Sequence, residues 1–586
     1  MSPPVIQRMR PGTTTTFRTA SGATPARDQW PSRARVPLRL RQWTASAPRL
    51  ALSDHPYVSG TLLLTVLTIL ITWPQAAHLS TMVVAHDDPY LSLWRLSWIA
   101  HRLPWGLGNL TDANIFHPSP GTFAYTDMTL LQGVVAAPLL WAGVNPVLVY
   151  NVMLLASMVA SGLAMFVLVR YLTRSDHAAL VSAAIFTIAP YRVEHLVHLE
   201  LQWTMWMPLA FWAVHRVFDT GSMRYGWLTG VLLSLQLLSC VYYGAFLGIM
   251  VALLTVLLAL AQRDRIVRAL APLAAGVALP AVTAWLYARP YVNNTTILGT
   301  RDPGEVASFS ARPLSYVTAP ELNLLWGWTS ERYDGNELHL FMGLVATLLA
   351  AIGLLTSRAP SRRLAWIYLV LLVAAVELSL GLNGTVYRWL HGLLFALQGF
   401  RAPARFAILA VAALSVLAGF GFRYLEARAS GRRLGRALLS VTLIAIGFEN
   451  GTAPPRLEAG PTSPPDLYRY LKKLEPGPIL EIPVKEPAPV YMYWSKEHWY
   501  PLVNGYSGHA PPTFGSTLER LERFPDATSV ALLRELNVRY VVVHQAYYPE
   551  SRYTKTLLAL MQSPDFSALG RYRDGAGIAE VFTLHR

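Results

Sequence analysis

Hydrophobic and polar positions along this 586-residue chain fall into long blocks rather than the short periods of soluble helices and strands. The first apolar run able to cross roughly 30 Å of hydrocarbon covers 57–77. Further runs lie at 146–169, 178–190, 203–218, 226–241, 243–261, 269–287, 340–356, 364–380, 404–421 and 437–448. The pattern predicts a predominantly α chain with about eleven membrane-spanning helices. The apolar stretch 130–141 has only about a dozen residues and reads as a re-entrant or surface-lying helix, because a span needs roughly twenty.

The pattern changes after 450. Pro454, Pro455, Pro464 and Pro465 mark a linker. Beyond it the sequence predicts helices at 468–474 and 529–536 and strands at 478–484, 539–544 and 578–584. Helices alternating with β-branched strands give a small α/β domain over 450–586. It carries no nucleophile elbow, phosphate-binding glycine loop or metal-spaced histidines.

Composition agrees with the spans. The chain is 53% hydrophobic and 14% charged, with mean hydropathy +0.33. Its net charge is +15. The basic residues punctuate apolar runs instead of covering a soluble face, which excludes a soluble nucleic-acid binder. The single cysteine, Cys240, excludes a disulfide scaffold and a cysteine metal cluster.

Residues 1–56 read as a basic, disordered arm, and no removable signal sequence is expected in them. Placed in the cytoplasm, this arm puts the Arg-bearing turns on the same side: Arg170 and Arg174, Arg216 and Arg224, Arg263 to Arg268, Arg358 to Arg363, and Arg423 to Arg436. The polar segments 78–145, 191–202, 288–339 and everything after 450 then lie outside.

Those outer segments hold the candidate chemistry. In the first, His86-Asp87-Asp88-Pro89 precedes an aromatic amphipathic helix at 90–103. Adjacent carboxylates raise each other's proton affinity. The pair suits a general base or a divalent-cation ligand, or a simple cap on a helix beginning at Pro89. Arg192 is placed to meet a lipid phosphate. His195 and His198 share a face if helical, and suit substrate hydrogen bonding or a metal. In 399–406 (GFRAPARF), Arg401 and Arg405 flank a helix start, where free amides and the dipole favour an anion. Glu337 and His339 precede a span and suit a site rim, whereas Glu377 lies near the outer end of its own span.

A first span, an outer loop with an acidic pair and a surface-lying helix together resemble the GT-C glycosyltransferases. The segments 88–103, 114–120, 189–206 and 399–406 look like those of uncharacterised bacterial members. The resemblance implies a multi-pass protein of the bacterial cytoplasmic membrane whose C-terminal domain is extracytoplasmic. It implies transfer of a sugar from a polyprenyl-phosphate donor to a lipid or glycan acceptor, with Asp88 or Asp87 as catalytic base or metal-adjacent carboxylate. Membrane lipids are the expected surroundings, nucleic acid is not a partner, and a divalent cation is the one cofactor left open. The tail lacks a WWD-type acceptor motif, which argues against peptide-asparagine transfer. A transporter of lipid-linked substrate and a non-catalytic assembly protein are the readings set against it.

Overall fold

The computed structural model describes residues 55–358 and 361–585. All but the last two residues of the basic arm lie outside this range. Each predicted apolar run is a helix: Pro56–Ile71, Pro146–Thr173, Asp176–Thr187, Trp206–Thr220, Met223–Ser239, Val241–Ala261, Ile266–Leu298, Leu344–Thr356, Ser361–Ser379, Ala407–Arg428 and Arg432–Glu449. Among the described residues, 4 helical segments suffice by length and composition to cross a membrane on their own: Pro146–Thr173, Val241–Ala261, Arg263–Leu298 and Pro403–Arg428. The most apolar part of Pro403–Arg428 is entirely buried, so this helix is the centre of the bundle. It touches Leu344–Thr356 backbone to backbone at Gly421, where an added Cβ would lie 1.8 Å from the Leu349 carbonyl oxygen.

Four of the Arg-bearing turns, at 170–174, 216–224, 263–268 and 423–436, meet at one end of the bundle, with Tyr171 on Asp219 joining the first two. Arg170 pairs with Asp176, Arg265 with Asp219 and His177 with Glu426, while Arg268 donates to the Phe218 carbonyl. The polar segments gather at the other end, as the alternation of basic and polar turns requires. Leu130–Trp141 lies among them, with a length of about 18 Å, too short to cross a bilayer. The Gln132 amide donates to the Ser239 carbonyl, and Val134, Val135 and Leu139 are exposed.

The tail contains a four-stranded sheet ordered Ile479–Ile482, Tyr540–His544, Ile578–Leu584, Phe566–Arg573. The first pair is parallel and the others are antiparallel. The predicted helices appear as Asp466–Leu471 and Ala527–Glu535. Phe566–Arg573 and the helices Ala488–Trp494, Pro512–Leu521 and Glu550–Gln562 were not anticipated. The tail docks on the first loop: Leu457–Ala459 pairs antiparallel with Met82–Val84, and Ala488–Trp494 packs on the helix Asp87–Arg102. These contacts set the cavity described next.

Candidate active site

The helix Asp87–Arg102 begins two residues before Pro89, and its cap is not an aspartate. His86 has extended backbone, and its Nδ1 accepts the Asp88 amide at 3.1 Å. Neither carboxylate is therefore used as a cap. Asp87 is exposed; its partial burial raises its proton affinity, and Asp88 and Glu486 add to that. Asp88 faces inward. Its Oδ2 lies 3.1 Å from His198 Nε2, and the Tyr506 hydroxyl donates to Oδ1 at 3.2 Å. Burial pushes the Asp88 carboxyl up, but His198, His86 and Arg95 outweigh it and hold the group well below the usual carboxylate range. The raised member of the pair is thus Asp87.

Asp88 lines a cavity of about 450 Å³. Beside it stands a buried polar cluster. Arg95 donates to the Asp127 carbonyl at 2.8 Å and to Glu200 Oε2 at 3.2 Å. Asp127 Oδ2 accepts the Val241 amide at 2.7 Å. Burial, reinforced by Glu200, pushes the Asp127 carboxyl up to about 6. Glu200 stays below its ordinary value because Arg95 overrides its burial.

Arg301, Arg401, Arg405 and His509 line the same cavity. Arg405 is buried, and its Nε donates to Glu337 Oε1 at 2.8 Å. Glu337 is held down by this arginine against the upward push of burial. Arg301 donates to the Gly508 carbonyl at 2.7 Å and lies 3.4 Å from Glu305. Arg401 is the looser cation: its guanidinium sits over the Phe309 ring and comes no nearer than 3.8 Å to Glu305. His195 lies behind this wall, fully buried, with Nε2 3.9 Å from Glu337 and neither nitrogen hydrogen-bonded. Burial drives its pKa down to about 3, so the ring is neutral.

The carboxylates around the cavity are engaged by Arg95, His198, Tyr506 and the Val241 amide rather than turned on one point. Among the described residues no group of three or more His, Cys, Asp or Glu side chains is arranged to hold a metal ion. This donor set does not fit the divalent cation that the sequence left open.

No described protein family and no curated protein matches the sequence. Solved structures do match. The arabinofuranosyltransferase AftD from Mycobacteria aligns with a TM-score of 0.58 at 15% identity, over 92% of this chain and 42% of that one. ArnT from Cupriavidus metallidurans, bound to undecaprenyl phosphate, gives 0.47 at 13% identity, over 91% and 98% of the two chains. The archaeal oligosaccharyltransferase AglB from Archaeoglobus fulgidus, in complex with an inhibitory peptide and a dolichol-phosphate, gives 0.45 at 13%, over 90% and 74%. The chain has the GT-C fold.

On this GT-C frame the structure sorts the residues singled out by sequence. Asp88, His198, Arg401 and Arg405 meet at the cavity. His195 and His198 are neighbours, with ring centroids 5.6 Å apart, although the helix Pro190–Glu194 ends before either. Glu337 serves Arg405, and His339 Nδ1 lies 2.7 Å from Glu194. Arg192 is a correction. It is 1% exposed, donates to Thr204 Oγ1 at 2.6 Å and to the Gln202 carbonyl at 2.9 Å, and does not reach the cavity. Glu377 is spent on a turn, where Oε1 accepts the amides of Thr385 and Val386. The sequence reading missed Arg95, Asp127, Glu200, Tyr506 and His509, and left Arg301 unassigned among the dispersed polar residues of 288–339. A charge amid the aromatic residues of 90–103 was the available signal for Arg95; Tyr506 and His509 gave none.

Proposed function

We propose that this chain is a membrane glycosyltransferase that moves a sugar from a polyprenyl-phosphate donor to an acceptor hydroxyl. The observation that carries the reading is that an ionised Asp88, its carboxylate not spent on a helix cap, and the loosely paired Arg401 line one cavity. The acceptor oxygen attacks the anomeric carbon as the carbon–oxygen bond to the phosphate breaks. The bonding pair leaves with the lipid phosphate, and the acceptor proton passes to Asp88. One displacement inverts the anomeric centre. Arg401 meets the charge that develops on the leaving phosphate. Arg405, neutralised by Glu337, shapes the wall. Asp87 is exposed and serves the approach to the cavity rather than the proton transfer.

A weak base suffices for this step, because the hydroxyl becomes strongly acidic only as its bond to carbon forms. His198 holds the carboxylate in position. Tyr506 and His509 bring the tail to the cavity, which supports a role for the tail in acceptor recognition. Positive-inside asymmetry supports a cavity that opens on the outer face of the cytoplasmic membrane, with the N-terminal arm inside. The test is transfer of labelled sugar from polyprenyl-phosphate donors, comparing the native protein with Asp88→Asn at equal folded yield. No transfer from any polyprenyl-phosphate donor would overturn the reading.

A further inference from the structure

A second cavity, of about 260 Å³, opens where the first loop meets the tail. It shares no lining residue with the first. Trp98, His101 and Arg102 enter it from the last turns of the helix that carries Asp88 at its start, Asn114 from the following loop and Trp499 from the tail. Fourteen helical steps separate Asp88 from Arg102, about 21 Å along the axis.

The polar groups at this cavity are unsatisfied in a specific way. Arg102 makes no hydrogen bond or ion pair among the described residues; its guanidinium lies 4.8 Å from the Trp98 ring centroid, and its Nε is buried without a partner. Asn114 is 7% exposed. Its Nδ2 donates to Ser495 Oγ at 2.9 Å and to the Tyr500 carbonyl at 3.2 Å, which fixes the amide orientation and leaves Oδ1 buried and unpaired. A buried donor and a buried acceptor left open on one small cavity require a partner that both gives and takes hydrogen bonds. One side of the wall is aromatic, where His101 stacks on Trp499 with centroids 4.5 Å apart and Trp98 meets Trp499 edge-on at 5.4 Å. Asp112, His117 and Ser119 add further polar groups to the lining. Trp499 is held at φ +56°, a left-handed backbone that a tryptophan rarely adopts and that recurs where a ligand clamp is enforced by its surroundings.

We infer that this cavity binds one unit of a neutral saccharide. A sugar ring carries hydroxyls on its rim, which meet Arg102 and Asn114, and C–H faces that suit aromatic walls. The volume equals roughly nine waters at ~30 Å³ each, the space of a single ring with its hydroxyls. Naming the ligand as part of an acceptor glycan rests on the glycosyltransferase reading, and the distance to Asp88 then makes the site select acceptors several units long.

The experiment uses the full chain in detergent, titrated with neutral linear pentose and hexose tetrasaccharides and read by saturation-transfer NMR. Native protein and Asp88→Asn should both bind one of them saturably. Arg102→Met should weaken that binding at least tenfold with thermal unfolding unchanged, and Trp499→Phe, which keeps an aromatic ring, should weaken it less. Absence of saturable binding to every sugar, or equal binding by Arg102→Met, would overturn the inference. Binding of the expected kind in a protein that transfers no sugar would sustain the site and remove the enzymatic reading alone.

Discussion

Replacing Asp88 by Asn keeps the size of the side chain and its neighbours Tyr506 and His198 while removing the negative charge. A positioned general base is worth about 10²- to 10⁴-fold in rate. His198, His86 and Arg95 hold Asp88 below the usual carboxylate range, which weakens it as a base and places it near the low end, about 10²-fold or ~2.7 kcal/mol. The same lowering fixes the pH behaviour. A depressed carboxyl contributes stability that is fully present above its unfolded value, about 3.9, and is lost only as pH falls through the lower folded value. Between pH 5 and 8, neither stability nor kcat/KM should follow this group. Changing His198 to Ala removes the chief partner, so any acid limb due to Asp88 should move upward. The assay is a pH–rate profile for sugar transfer with native protein, Asp88→Asn and His198→Ala at matched folded yield. Undiminished turnover in Asp88→Asn would refute the assignment. An acid limb near pH 6 that disappears in Asp127→Asn would give the base role to Asp127, whose burial pushes its carboxyl up to about 6.

Changing Glu337 to Ala strands the buried Arg405 guanidinium, and loss of one partner of a buried pair costs about 3–5 kcal/mol; thermal unfolding should fall accordingly, and a loss near zero would contradict the pairing. In the tail, His544 lies 2.7 Å from Asp574 and 2.9 Å from Glu481, fully buried. Burial lowers its proton affinity but the two carboxylates raise it further, so its stabilisation is complete below the unfolded imidazole value of about 6.5 and is lost as pH rises through the higher folded value. The stability gap between native protein and His544→Phe should therefore narrow as pH is raised into the alkaline range, as measured by unfolding at graded pH. Changing Gly421 to Ala drives a methyl into the Leu349 carbonyl and should destabilise the bundle by at least about 1–3 kcal/mol, whereas a neutral effect would mean that the two helices do not touch there.

How far the sequence could be read follows from the reach of each signal. The spans were legible because an apolar run is a local property, although the run 57–77 outlasts its helix, which ends at Ile71. The buried strands Ile479–Ile482 and Tyr540–His544 announced themselves by short runs rich in β-branched and aliphatic residues, ILEI and YVVVH. Phe566–Arg573 did not, since it is a largely exposed edge strand with Gly570 and two arginines. At the site, Asp88 and the Arg401–Arg405 pair were visible as unusual charges beside aromatic or glycine-containing segments. Which charges would neutralise one another was not visible. Glu337 lies 68 residues from Arg405, and Tyr506 lies 418 residues from Asp88, so only the fold joins them. Arg192 misled because a lone arginine after a span looks like a surface residue, whereas its guanidinium is satisfied by Thr204 and the Gln202 carbonyl in the interior.

The distribution of spent and unspent charge is what gives the cavity a direction. Arg95 is committed to Glu200 and the Asp127 carbonyl, Arg405 to Glu337, and Arg301 to Gly508 and Glu305. A committed cation has little left to offer a leaving phosphate, because its field is largely cancelled at close range. Arg401 keeps a third of its side chain exposed and only a 3.8 Å approach to Glu305, so it retains the positive charge that a departing phosphate requires. On the acid side, Asp88 and Glu200 are both kept ionised at the cavity wall, but Glu200 is committed to Arg95 whereas Asp88 is held by His198 and Tyr506. The neutral His195 behind Arg405 and Glu337 adds no competing charge. In the proposed reaction, an attack assisted by Asp88 that expels negative charge toward Arg401 would run down the potential that the committed pairs leave behind. The reverse arrangement, with Arg401 paired and Arg405 free, would place the available cation deep in the wall, beyond the reach of a lipid-borne phosphate.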